Sequence, residues 1–120
     1  MTVTRPFESE RSTVRNGDVD LAVYTAGVSD GPTLVLVHGW PDNHTLWNHV
    51  VGLLADRYRV VTYDSRGAGE STVPARTRGY RLDEMASDLR EVIDAGSPDA
   101  PVHVLGHDWG AVEAWELVAE

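Results

Sequence analysis

The chain contains no cysteine and no lysine. Without cysteine there is no disulfide, no thiolate nucleophile and no cysteine-held zinc, a composition that fits a reducing compartment. Without lysine there is no Walker-type phosphate loop, no Schiff-base amine and no lysine general base, so cofactors that need those groups are not expected. All ten basic residues are arginine, and nineteen acidic residues leave a net charge of −9. That balance disfavours nucleic acid as a partner. No stretch reaches the roughly 18 apolar residues of a membrane span, and the start, "MTVTRPFESERSTVRNG", has no apolar signal-peptide core. A cytoplasmic protein without a membrane span is the default expectation.

What is present is an ordinary globular composition, 42% hydrophobic and 24% charged over 120 residues. There is room for one domain, and a fold of this size buries about two-thirds of its unfolded surface. No repeat, low-complexity tract or linker marks a second domain.

Strand and helix patterns alternate along the chain. "STVRNGDVDLAVYTAG" has a central Asn16-Gly17 pair followed by alternating Val19, Leu21 and Val23, which predicts an antiparallel hairpin at the sheet edge. "PTLVLV" (32–37), "YRVVTY" (58–63) and "PVHVLG" (101–106) are short, nearly continuous apolar runs, the pattern of parallel strands covered on both faces. Leu46, Trp47, Val50, Val51 and Leu54 follow helical spacing, as do Leu82, Met85, Ala86, Leu89 and Ile93. The segment from Ala111 to Glu120, rich in alanine and large apolar residues, predicts a centrally packed helix. The order is hairpin, then β-α-β-α-β-α: an α/β layered sheet with right-handed crossovers. His103, Trp47 and Trp115 fall at core positions of this pattern. His44 and His49 are five apart and do not share a helical face well, so no metal pair is expected there.

Reactive residues of such sheets collect at the carboxyl ends of the strands. Three unusual loops occur at three such ends: "HGWPDN" (38–43), "DSRGAGES" (64–71) and "GHDWG" (106–110). Gly67 and Gly69 lack the third glycine and following helix of a dinucleotide loop. "GHDWG" places Asp108 between Gly106 and Gly110, where a strand turns into a helix. On its own the stretch also suits a helix start with Asp108 as N-cap. A nucleophile-bearing turn of this kind usually presents serine. It holds its central residue in a poorly populated backbone conformation, at about 1–3 kcal/mol, and raises the side chain above the sheet. Side chains at the flanking glycines would collide as the helix packs back on the strand. The following helix directs its positive N-terminal end at the turn, which favours an ionised carboxylate.

Together the three loops resemble those of the α/β-hydrolase fold, and specifically its epoxide hydrolase branch, over nearly the whole chain from about Phe7 to Glu120. "HGWP" resembles the oxyanion loop, "DSRGAGES" the D-x-R-G-x-G-x-S loop, and "GHDWG" the aspartate nucleophile elbow with His107 beside the nucleophile. The resemblance implies that Asp108 attacks an sp³ carbon of an epoxide or alkyl halide to form an ordinary ester. The backbone N–H groups of Trp40 and Trp109 would then serve as the oxyanion hole for its hydrolysis. It also implies a cis bond before Pro41, a turn shaped by His38 and Gly39 with His38 in a structural role, and loops braced by Asp64 and Arg66. No cofactor or metal is implied, and the tryptophans suggest a small apolar substrate.

Members of this branch carry a water-activating histidine, an orienting acid and two lid tyrosines, all after the elbow. No tyrosine follows Tyr80 and no histidine follows His107. Residues 1–120 are therefore expected to be the N-terminal portion of one α/β-hydrolase domain, without lid or C-terminal catalytic portion and without turnover alone. An incomplete sheet would expose a strand edge and apolar helix faces. Two alternatives stay open. One is a dehalogenase with the Trp109 indole holding the halide, although haloalkane enzymes usually place asparagine at Trp40, and fluoroacetate enzymes arginine at Trp109. The other is a catalytically silent module, such as one fused to a short-chain dehydrogenase domain, which would carry an oxidoreductase activity.

Overall fold

Alternation along each strand decides which side of the sheet its side chains cover. In the computed structural model, which describes residues 7–119, the strands are β1 (Ser9–Asn16), β2 (Val19–Gly27), β3 (Thr33–Val37), β4 (Arg59–Tyr63) and β5 (His103–Gly106). The opening residues 1–6 and Glu120, the predicted end of the last helix, lie outside the described residues. The helices are α1 (Asn48–Leu54), α2 (Leu82–Gly96) and α3 (Trp109–Ala119). The sheet order is β1-β2-β4-β3-β5. β2 pairs antiparallel with β1 and β4, whereas β3 pairs parallel with β4 and β5. Only β2 runs against the others, and the hairpin forms one edge, as its sequence predicts.

Val35 and Val37 of β3, Val61 and Tyr63 of β4, and Val19, Leu21 and Val23 of β2 form one core with Leu89 and Val92 of α2. Leu36 and Val60 point to the other side and pack with Ala26, Trp47 and Val51. The apolar runs are continuous because both faces of β3 and β4 are covered. Ahead of α1, residues His44–Trp47 form a 3-10 turn, and the Asn43 side chain caps it by accepting from the Thr45 N–H at 2.9 Å. The predicted helix from Leu46 is thus tightened in its first turn.

Several predicted details differ. The hairpin reverses at Gly17-Asp18, one residue later than the Asn16-Gly17 pair suggests, with Asn16 still paired to Val19. Gly17 takes the positive φ of +64°, while the Asn16 amide donates to Ser87 and Asp88 of α2. β5 is exposed along most of its length, His103 included; it pairs with β3 on one edge only. Trp115 is 74% exposed and Val118 73% exposed, so α3 packs through Gly110, Glu113, Ala114 and Leu117 instead of being covered all round. These exposures follow the predicted open edge and apolar helix face. No helix among the described residues is long and apolar enough to cross a membrane.

Leu89 is fully buried in the larger core, whereas Leu53 on α1 is 44% exposed. Leu89→Ala is expected to cost about 2–5 kcal/mol in urea denaturation, and Leu53→Ala about 0.5 kcal/mol or less. Equal losses would show that the two sites are not buried as described.

Candidate active site

The three loops of unusual sequence follow β3, β4 and β5, whose carboxyl ends point the same way. The loop after β5 is held to β3 by the main chain: the His107 N–H donates to the Val37 carbonyl at 3.0 Å. The chain then turns tightly, with the Gly110 N–H donating to the His107 carbonyl and the Ala111 N–H to the Asp108 carbonyl. Asp108 occupies φ +58°, the one non-glycine residue with positive φ among the described residues. Aspartate tolerates that region better than most side chains.

Close approach explains the flanking glycines. A Cβ at Gly110 would run into the Val37 carbonyl oxygen, and one at Gly106 would meet the Ala111 nitrogen at 2.6 Å. A Cβ on Gly39 would fall 2.7 Å from both Cβ and Oδ2 of Asp108. The first and third loops therefore meet at the Asp108 carboxyl group. The Trp40-Pro41 peptide is cis, as the resemblance implies. Trp40 and Trp109 are exposed and border the same cleft of about 830 Å³ from opposite loops. Asp108 itself is exposed beside them, and the rings of Trp47 and His107 meet at nearly a right angle.

Buried polar contacts hold the second loop. His38 Nε2 accepts the Ser65 N–H at 3.0 Å, so Nδ1 carries the proton and donates to the Gly39 carbonyl at 2.8 Å. Burial holds the imidazole below its usual pKa, against the Gly39 carbonyl and the Asp64 charge, which favour protonation. Asp64 accepts from the His44 backbone N–H at 2.9 Å, from His44 Nδ1 at 2.7 Å and from the Glu70 N–H at 3.0 Å. Burial alone would raise its pKa, but those hydrogen bonds hold it below the usual carboxylate value. His44 also stacks on Tyr24, with ring centroids 3.6 Å apart.

Arg66 grips Asp88 with two parallel bonds, Nε to Oδ2 at 2.7 Å and Nη2 to Oδ1 at 2.8 Å, and donates from Nη1 to the Gly79 carbonyl. Both partners are buried. Because the Asn16 amide also donates to Asp88, one carboxylate joins the second loop, α2 and the hairpin.

Sequence reasoning passes over four of these residues: Asp88, Glu113, Ser65 and the role of His44. Asp88 interrupts an apolar stripe between Met85 and Val92, and Glu113 stands alone between Val112 and Ala114. An acid at a buried helical position is the available signal. Glu113 is 2% exposed and lines the cleft; burial first, then the Asp88 charge, pushes its pKa up to about 8.

The profile of the alpha/beta hydrolase fold matches residues 32–120. The chain belongs to the α/β-hydrolase fold family. It is 55% identical over 100 residues to the "Probable oxidoreductase EphD" of Mycobacterium tuberculosis, an overlap of 83% of this chain and 17% of that protein. It is 42% identical over 87 residues to Epoxide hydrolase B of the same organism, covering 71% of this chain and 24% of the relative. The epoxide hydrolase VrEH1 of Vigna radiata superposes with a TM-score of 0.85 at 30% identity, over 93% of this chain and 36% of that one. The chain thus spans a minor part of each relative, and within that part it is similar to epoxide hydrolases.

Removing one partner of the buried Arg66–Asp88 pair, as in Arg66→Leu, is expected to cost about 3–5 kcal/mol in denaturant unfolding, because a charge is left buried and unpaired. Glu113 gives a pH signature. Its folded pKa lies above the usual carboxylate value of 4.5, so the native state binds a proton that the unfolded state has released. Its effect on stability is absent below pH 4.5 and becomes increasingly unfavourable as pH rises to about 8, by about 1.4 kcal/mol per unit. Glu113→Gln should flatten urea midpoints compared across that window; an unchanged slope would contradict the assignment.

Proposed function

We propose that the protein to which this chain belongs opens epoxides to diols through a covalent ester on Asp108. One observation carries the reading: a carboxylate, not a hydroxyl, stands at the tip of a strained strand-to-helix turn, against Gly39 of the neighbouring loop. A carboxylate attacking a carbonyl would give an anhydride. Its attack on an epoxide carbon breaks the ring C–O bond, forms a C–O bond to Asp108 and leaves an alkoxide that takes a proton. Water then adds to the ester carbonyl, releasing the diol and regenerating the carboxylate. The backbone N–H groups of Trp40 and Trp109 receive the charge that builds on the carbonyl oxygen; one such donor contributes about 2.7–4 kcal/mol. The general base for the water, its orienting acid and the proton donor for the alkoxide come from the remainder of a longer polypeptide. The epoxide hydrolases among its relatives support this, each being several times longer than the matched segment.

A second reading has one observation in its favour, the similarity to a relative described as an oxidoreductase, of which the chain covers 17%. In that reading the hydrolase-type segment accompanies a redox activity located elsewhere in the polypeptide. Gly67 and Gly69 do not supply a nucleotide site for it: a Cβ at Gly67 would meet the Tyr80 hydroxyl at 2.5 Å, and one at Gly69 would strike the Asp64 carboxylate. They are packing glycines.

The test uses the product of the native gene mixed with a terminal epoxide and quenched early. A mass increase equal to the epoxide is expected on the peptide containing Asp108. Asp108→Asn, which suits the left-handed backbone, should abolish the adduct and lower kcat about 10³-fold or more. Diol formation surviving that change would overturn the mechanism. Halide release from alkyl halides without epoxide opening would instead establish a dehalogenase.

A further inference from the structure

His38 and His44 stand at the two ends of the loop that carries Trp40, and each is bonded to the second loop. His38 Nε2 accepts the Ser65 N–H at 3.0 Å. His44 meets Asp64 Oδ1 twice, through its backbone N–H at 2.9 Å and through Nδ1 at 2.7 Å. Asp64 and Ser65 are consecutive, so residues 39–43 form a bridge with both feet on one dipeptide. Trp40, Pro41 and Asp42 along its crest are exposed. The Asp42 N–H donates within the bridge itself, to the Gly39 carbonyl at 2.9 Å. The crest is therefore placed by its ends.

The two feet are built differently. His38 is buried, and its Nδ1 bonds the Gly39 carbonyl. The His44 side chain is 20% exposed and rests on a carboxylate with no exposure at all. A closed circuit of contacts holds it. Its ring stacks on Tyr24, with centroids 3.6 Å apart and planes within 10°. The Tyr24 hydroxyl donates to Glu70 at 2.6 Å, and the Glu70 N–H donates to Asp64 Oδ2 at 3.0 Å. Because Tyr24 lies on β2, the circuit ties the loop to the sheet. Bonds to an ionised carboxylate are short and strong, and a buried carboxylate that loses a donor is left under-satisfied.

Gly39 abuts the Asp108 carboxyl group, and the next N–H along the bridge is that of Trp40. Donors aimed at a developing oxyanion act because they are fixed beforehand, and a misplacement of about 1 Å from a remote change can cost about 10²-fold. We propose that His44 is a positioning residue: bonded to Asp64 and stacked on Tyr24, it fixes the bridge so that the Trp40 N–H meets the oxyanion of ester hydrolysis. This role rests on the epoxide-opening reading above. The two steps differ in their need for it. Alkylation removes charge from the Asp108 carboxyl group as the C–O bond forms, and does not call on the oxyanion hole. In hydrolysis the water oxygen bonds the ester carbonyl carbon and the carbonyl electron pair moves onto oxygen. Collapse then breaks the bond to the diol oxygen, which leaves with a proton from the attacking water.

The test times the two steps separately on the native gene product, by rapid quench with a terminal epoxide and intact mass. His44→Phe keeps a ring against Tyr24 and removes the side-chain bond to Asp64. Its ester is expected to form within about twofold of the wild-type rate and to decay about tenfold more slowly, so that adduct accumulates and kcat falls. His44→Asn, whose amide can donate in place of Nδ1, should restore most of the decay rate. Should His44→Phe fail to fold, His44→Ala is read in the same way. Equal slowing of both steps, or unchanged decay, overturns the proposal; so does failure of both variants to fold, which would make the residue structural. If wild type forms no ester, the proposed reaction falls and the clamp on the loop is judged by amide hydrogen exchange. The peptide spanning residues 39–43 should then exchange severalfold faster in His44→Phe while α2 is unaffected; unchanged exchange of that peptide rejects the clamp.

Discussion

The contact between the elbow and the end of β3 is the constraint on which the rest of the site depends. The His107 N–H bonds the Val37 carbonyl, and Gly110 lies where any side chain would strike that same carbonyl. This close approach brings α3 down onto the sheet, forces Asp108 to positive φ and presses its carboxyl group against Gly39. Three glycines in two loops thus serve one steric purpose. A left-handed residue at such a turn stores about 1–3 kcal/mol, which the surrounding main-chain bonds and the packing of Val35, Val37 and Leu36 must offset. The geometry of the candidate nucleophile is a result of packing beneath it, not of any side-chain bond to it.

The second loop is held differently. Its residues are fixed by charge and hydrogen bonding in places where water is excluded, and several of the polar contacts span elements distant in sequence. Ser65 reaches His38, Asp64 reaches His44, and Arg66 reaches Asp88. Low local dielectric strengthens such bonds and makes an unpaired member costly. A buried ion pair adds little to stability beyond what an apolar pair of similar volume would give. Its effect here is positional: Asp88 can satisfy Arg66 and Asn16 together only if the loop, α2 and the hairpin are all in place.

The strands and helices were legible because each reports on its own neighbours through periodicity. "TLVLV" and "RVVTY" are covered on both faces, and the helical spacing from Leu82 onward matches α2. The three loops were legible for another reason: Gly106, Asp108 and Gly110, together with "HGWP", form a combination that few other turns require. What escaped depends on contacts that no local pattern encodes. His103 and Trp115 read as core from their spacing, yet coverage is a property of whatever lies opposite, and β5 has a neighbour on one edge only. Asp88 and Glu113 carry no local signal beyond being acids within helical patterns. The first is buried because an arginine 22 residues earlier reaches it, the second with no such partner.

Asp108 and Glu113, five residues apart, stand in opposite surroundings, one exposed and the other buried. Asp108 precedes the first turn of α3 and is exposed. Glu113 lies little more than one turn further on and is buried, with Asp88 as a neighbouring charge. Burial and then like charge raise the pKa of Glu113. The five-residue step carries the chain from the exposed elbow to the buried face of α3. The same helix is anchored most firmly where this contrast lies, by the bonds of its first turn and the buried Glu113, while Trp115 and Val118 at its far end stay uncovered. The elbow, which any covalent chemistry on Asp108 would require to be rigid, lies at the end of the helix held by these main-chain bonds.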